Sequence, residues 1–222
     1  MVREYDVSIT RRLPIYLLLD TSRSMRGAQI QAVNDGLHLL KDVLLDDPVA
    51  IEVVYISVIT FSTEAEQVVP LTGLLDFSPP ELGAGGWSAM GAALRLLNEV
   101  LDREIIPNTP ARKGDYRPLV FLMTDGRPSD GWKRASKALR KRPHAKLANL
   151  IALGCGPKAD MEVLAQVADV ALSVEDAASE TIGPFFKWIS QSIGAASLAS
   201  SAADGGIVDL PPLPSHIQRI AL

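Results

Sequence analysis

Of the 222 residues only Cys155 is a cysteine, so the chain forms neither an internal disulfide nor a multi-cysteine metal centre. It follows the apolar run Leu150 to Gly154 and reads as a buried structural thiol. Histidine is scarce too. His38, His144 and His216 fall on a helix, in a turn and in a tail, where none pairs with a serine nucleophile. No GxxxxGKS/T phosphate loop occurs, and Gly154-Cys155-Gly156 is too short a signal for dinucleotide binding. The longest apolar runs, around Ile15 to Leu19 and Val49 to Phe61, are broken by polar residues short of the ~18 needed to span a bilayer. Met1 to Arg12 is charged and holds no stretch resembling a signal peptide. A cytoplasmic protein with no membrane contact is expected. A basic excess is also missing: 22 Lys and Arg against 26 Asp and Glu leave a net charge of −4, which argues against nucleic acid as a partner. Arg134, Lys137, Arg140, Lys141 and Arg142 read as a solvated helix face.

What remains is the composition of a folded globular protein, 47% hydrophobic and 22% charged, at a length suited to one domain with modest additions. Ile15 to Leu19 reads as a doubly buried strand ending at Asp20, and Met25 to about Leu45 carries apolar residues at helical spacing. Asp46-Asp47-Pro48 stops that helix, Ile51 to Phe61 reads as a central strand, and Gln67 to Leu71 as a shorter edge strand. A glycine-rich turn, Gly83 to Gly86, leads through Ser88 into a helix from Met90 to Leu101. Leu119 to Met123 is a third buried strand, ending in Thr124-Asp125-Gly126. Asp130 is placed to cap a helix over Gly131 to about Lys141, and Leu147 to Leu153 follows as a strand. A short helix over Asp160 to Ala168, a strand over Val170 to Val174 and a helix from Thr181 to about Ser200 complete the pattern. Alternating strands and helices predict an α/β fold: a doubly wound, mostly parallel sheet with helices on both faces, binding ligands at the carboxyl ends of its strands. From Ala202 onward, through Leu210-Pro211-Pro212-Leu213-Pro214, no period is visible and a mobile or extended tail is expected.

Three loops at that strand-end edge carry oxygen: Asp20, Ser22 and Ser24, then Ser88, then Asp125. Carboxylates and hydroxyls without thiolate or imidazole suit Mg²⁺ or Mn²⁺, with water completing the octahedron. Two carboxylates and three hydroxyls leave such an ion electrophilic enough to accept an Asp or Glu carboxylate from another molecule. Taken singly, Asp20 or Ser24 reads equally as a helix cap and Asp125-Gly126 as a turn; their joint order and spacing favour the metal. Trp87, beside Ser88, reads either as an exposed aromatic anchor for a partner or as packed on a neighbouring loop, and Trp132 as structural.

DxSxS, the glycine-rich loop with its hydroxyl residue before Gly91-Ala92-Ala93-Leu94, and the strand ending in Thr124-Asp125-Gly126 resemble the metal-ion-dependent adhesion site of von Willebrand factor A domains. More narrowly, Leu13 to Met25, Tyr55 to Phe61, Leu122 to Gly126 and Phe185 to Ser190 look like the TerY branch, which is associated with bacterial tellurium resistance. The resemblance implies a von Willebrand A domain over residues 1–201 with a Pro-containing tail over 202–222. It also implies Asp20, Ser22, Ser24, Ser88 and Asp125 as the shell of Mg²⁺, Mn²⁺ or Ca²⁺. Ser88 stands where the family usually has threonine, and Arg23 where it commonly has glycine. A cation beside a metal site weakens it unless it points outward, where it can hold an incoming carboxylate. The expected function is a metal-dependent protein-interaction module in a stress-response or signalling assembly, with kinase-like or PP2C-type phosphatase proteins as partners, rather than an enzyme. The alternatives are a Mg²⁺-dependent phosphohydrolase, disfavoured because Ser22 occupies the second acid position of its DxD motif, and an interaction subunit with a vacant metal site.

Overall fold

The short apolar runs are the interior strands of a single sheet. In the computed structural model residues 11–110, 112–142, 146–176, 179–200 and 210–220 are described. The expectations for the charged amino terminus through residue 10, the turn containing His144 and tail residues 202–209 and 221–222 lie outside them. Along the chain come β1 (Leu13–Asp20), α1 (Ala28–Leu45), α2 (Pro48–Val53), β2 (Val54–Phe61), β3 (Ala65–Gly73) and α3 (Met90–Glu104). There follow β4 (Leu119–Thr124), α4 (Trp132–Arg140), β5 (Asn149–Cys155), α5 (Met161–Val167), β6 (Val170–Val174), α6 (Ser179–Ser200) and β7 (Gln218–Arg219). The sheet order is β3-β2-β1-β4-β5-β6-β7. The five inner strands run parallel, while β3 and β7 pair antiparallel at the two rims. The doubly wound α/β architecture read from the sequence is the one observed.

Because strand side chains alternate, each inner strand feeds two cores. Ile15, Leu17, Phe121 and Leu153 face Leu37 and Leu40 of α1 and Phe186 and Ile189 of α6. Tyr16, Leu18, Val120 and Ala152 face Leu94 and Leu97 of α3, Leu139 of α4 and Leu164 of α5. Every residue of β1, β4 and β5 is buried, which is why these strands read as unbroken apolar runs. Helices α1 and α6 approach so closely at Gly36 that a Cβ there would lie 2.1 Å from Cδ2 of Phe186.

Several local expectations are corrected. Residues 51–53 are helical: Asp47 accepts the N–H of Val49 and Pro48 starts α2, so the Asp-Pro pair that stops one helix also opens the next. Strand β3 is longer than expected. Arg142 is buried, its guanidinium donating to the Asn98 carbonyl and side chain and to Asp102, so the basic run is not uniformly solvated. Of the tail, expected to be mobile or extended, residues 210–220 pack on the domain: Ile217 is buried, Ile220 N–H donates to the Ala171 carbonyl, and Trp188 Nε1–H donates to the Pro211 carbonyl at 3.1 Å. Trp188→Phe keeps most of the packing but removes that hydrogen bond. The expected outcome is a loss of about 1–2 kcal/mol and faster limited proteolysis within residues 210–220. Unchanged proteolysis would show that Ile217 and the β7 pairing anchor this segment without Trp188.

Candidate metal centre

Strands β1 and β4 are neighbours, yet the chain leaves them for helices on opposite faces, α1 and α4. Their carboxyl ends therefore diverge into a crevice. Asp20 closes β1 and Thr124 closes β4 at this point. Asp20 is fully buried. Its Oδ1 accepts the backbone N–H of Ser22 at 2.8 Å, a side-chain-closed turn that bends the first loop over the strand end. Its Oδ2 accepts the hydroxyls of Ser88 at 2.8 Å and Thr124 at 2.5 Å. Ser24 Oγ donates to Oδ1 of Asp125 at 2.7 Å and lies 3.1 Å from Ser22 Oγ. Asp20, Ser22, Ser24, Ser88 and Asp125 thus form one connected polar cluster drawn from three loops.

Backbone hydrogen bonds hold those loops in register. Thr21 N–H donates to the Phe61 carbonyl, Gly85 N–H to Thr21, and Arg23 N–H to Gly86, joining the first loop to β2 and to the glycine-rich loop. Gly86 has φ +77°, and a Cβ there would lie 2.5 Å from Thr63 Oγ1, so glycine is required on both counts. Ser129 donates to the Ser88 carbonyl through both its N–H, at 2.8 Å, and its hydroxyl, at 2.9 Å. Asp130 does not cap α4 as expected. Its carboxylate instead accepts the N–H groups of Gly91 and Ala92 at 2.7 and 2.8 Å, satisfying the open amino end of α3 across the loops.

Burial raises the Asp20 carboxyl above its ordinary value of 3.8, opposed by the hydrogen bonds from Thr124, Ser22 and Ser88. The carboxylate is therefore short of positive charge, a deficit that a cation at the same cluster would relieve. The donors are all hard oxygens, and because no three His, Cys, Asp or Glu side chains gather anywhere among the described residues, hydroxyls must supply part of the shell. Cys155 is no competitor: burial pushes its thiol up, and the negative fields of Asp125, Asp20 and Asp176 push it further. The donor set therefore fits Mg²⁺ or Mn²⁺.

An open cleft of about 310 Å³ lies over the cluster, with the buried Ser22 and Ser88 below and the exposed Arg23, Ser24, Trp87 and Arg127 at its mouth. Trp87 is 72% exposed, so it is not packed away on a neighbouring loop. Trp132 instead packs against the α3–α4 core, with Lys133 Nζ 5.6 Å from its ring centroid. Sequence reasoning missed Thr124, Ser129 and Arg127 as contributors. Thr124 carried one usable signal, a hydroxyl residue ending an otherwise apolar strand.

A type of protein fold in which three loops at one sheet edge converge on two carboxylates and several hydroxyls is thereby defined. Residues 15–182 match the von Willebrand factor type A domain model, and the chain belongs to that family. No curated protein sequence matches it. Among solved structures it is similar to a von Willebrand factor type A protein from Catenulispora acidiphila, at 18% identity and TM-score 0.64, covering 83% of this chain and 43% of that one. The ArnB paralog VWA2 from Sulfolobus acidocaldarius gives 16% and 0.56, covering 83% and 46%. Proximal thread matrix protein 1 from the mussel byssus, with a zinc-occupied MIDAS motif, gives 21% and 0.59, covering 82% and 48%. The chain spans less than half the length of each of these proteins. Among the described residues no helix is long and apolar enough to cross a membrane.

Proposed function

We propose that this domain binds a divalent cation in the three-loop cluster and through it grips a carboxylate of a partner protein. The observation that carries the reading is Asp20, a wholly buried carboxylate ringed by hydroxyls beneath an open cleft. Asp20, Ser22, Ser24, Ser88 and Asp125 would hold the ion, with Thr124 fixing Asp20. A bound cation supplies a Lewis-acidic point to which an outside Asp or Glu adds. Mg²⁺ suits the hard donors best, with Mn²⁺ and Ca²⁺ as alternatives, and the zinc-occupied motif of the mussel protein puts Zn²⁺ in the same comparison. Trp87 and Arg23, both exposed at the mouth, are the proposed partner contacts.

A cytoplasmic stress-response or signalling role related to tellurite resistance, with kinase-like or PP2C-type phosphatase partners, is the finer form of the proposal. It is supported by the sequence resemblance to TerY. Phosphohydrolysis is a poorer fit, because Asp20 is buried with both oxygens engaged and unable to reach a phosphorus atom. Calorimetric titration of chelator-stripped protein with Mg²⁺, Mn²⁺, Ca²⁺ and Zn²⁺ tests the central claim. Saturable binding that disappears in Ser22→Ala and Ser24→Ala, both folded by circular dichroism, is the expected result. No heat at millimolar metal, or equal binding in the variants, would overturn it.

A further inference from the structure

The floor and the mouth of the cleft carry opposite charge. Beneath the lining hydroxyls, as the floor, lie Asp20 and Asp125 at 0% and 6% exposure, accepting from Ser88 and Ser24. The mouth presents the guanidinium groups of Arg23 and Arg127, and among the described residues no carboxylate lines its wall. Arg23 makes no ion pair or side-chain hydrogen bond with the described residues. Arg127 meets Asp160 at 3.6 Å with its side chain 81% exposed, a distance and exposure at which water screens most of the attraction. Both cations are thus available to a ligand.

On the cation reading proposed above, the two floor carboxylates match a divalent ion in formal charge. The two guanidinium charges at the mouth are then left over. A ligand with one carboxylate would place its charge at the floor and leave both guanidinium groups uncompensated as the cleft loses water. A ligand with two carboxylates neutralises floor and mouth together, because a guanidinium offers paired donors that match a carboxylate. The positive charge sits at two levels, which suits two separate acidic groups better than one doubly charged group. Trp87 adds an apolar face beside the same entrance.

We infer that the site selects a partner segment bearing two acidic residues close in sequence, one directed to the cation position and the other held by Arg23 or Arg127. This inference rests on the proposed cation site. The test is fluorescence anisotropy with the full chain in Mg²⁺ and after chelation, using three labelled, end-capped peptides. One carries a single glutamate in a Gly/Phe frame, one carries two glutamates separated by one residue, and one carries a phosphoserine and no glutamate. In Mg²⁺ the two-glutamate peptide is expected to bind about tenfold more tightly than the single-glutamate peptide. Arg23→Gln and Arg127→Gln are each expected to shrink that ratio about threefold or more without weakening Mg²⁺ uptake measured by calorimetry. Equal affinity for the two glutamate peptides, tightest binding by the phosphoserine peptide, or equal weakening of both glutamate peptides in the arginine variants would overturn the inference. Absence of Mg²⁺ uptake with or without peptide sinks the cation reading. That outcome overturns the inference too, because one of its two acidic groups is directed to the cation; with Mg²⁺ uptake present, the peptide comparison alone decides it.

Discussion

Replacing Asp20 with asparagine is expected to weaken Mg²⁺ binding by about a hundredfold while leaving the fold in place. The amide oxygen still accepts the N–H of Ser22, and the amide nitrogen falls where Oδ2 accepts from Ser88 and Thr124, whose hydroxyls rotate to accept instead. What the substitution removes is the charge. In the metal-free protein this gives a second readout, with a definite sign. Burial raises the Asp20 carboxyl above 3.8, so the native state holds that proton more firmly than the unfolded chain. Its contribution to stability therefore falls as pH rises from below 3.8 through the raised folded value, and is flat above it. Asp20→Asn lacks this component, so metal-free variant minus wild-type stability should grow with pH across that window. Urea unfolding at several pH values measures the difference, and calorimetry measures the metal. A variant that binds Mg²⁺ like wild type would remove Asp20 from the site.

Gly36→Ala is expected to destabilise the protein by about 2 kcal/mol, equivalent to roughly 4–8 °C in Tm. Alanine ordinarily favours a helix by about 1 kcal/mol over glycine, so the sign alone is informative. Here the new Cβ would lie 2.1 Å from Cδ2 of Phe186, a fully buried ring, and α1 or α6 would have to shift. Gly194→Ala, also in α6, where the nearest atom to a Cβ is Asp47 Oδ2 at an ordinary 3.5 Å, is the matched control and should be neutral or stabilising by up to about 1 kcal/mol. Adding Phe186→Leu to Gly36→Ala should recover part of the loss. Equal effects at positions 36 and 194 would mean that the two helices do not meet as described.

The sheet was legible because its inner strands are buried on both faces. Ile15 to Leu19 and Leu119 to Met123 have no polar alternation to confuse with a helix, and the site residues stand directly at their ends. Residues 51–53 were misread because Ile51 and Val53 have strand propensity, whereas the local capping by Asp47 and Pro48 decides for a helix. Asp130 was assigned to the helix nearest in sequence, although its partners Gly91 and Ala92 belong to another helix. The packing of residues 210–220 was invisible for a similar reason. Pro211, Pro212 and Pro214 erase any period, and only contact with Trp188 and β6 shows that Ile217 is buried. Arg127 gave no signal, since an exposed arginine after a turn has meaning only once the cleft beside it is known.

The two antiparallel rims have a consequence for how this domain meets other molecules. Strand β3 carries an exposed proline, Pro70, and its register against β2 shifts twice between Ile56 and Ile59. At the opposite rim, β7 covers part of β6 with only two residues of its own. Among the described residues neither rim offers another chain a long, regular row of free backbone groups, so strand-to-strand polymerisation is discouraged at both sides of the sheet. On the function proposed above, recognition falls instead at the loop end, where it would depend on side-chain charge and so be released by changing the ions in solution.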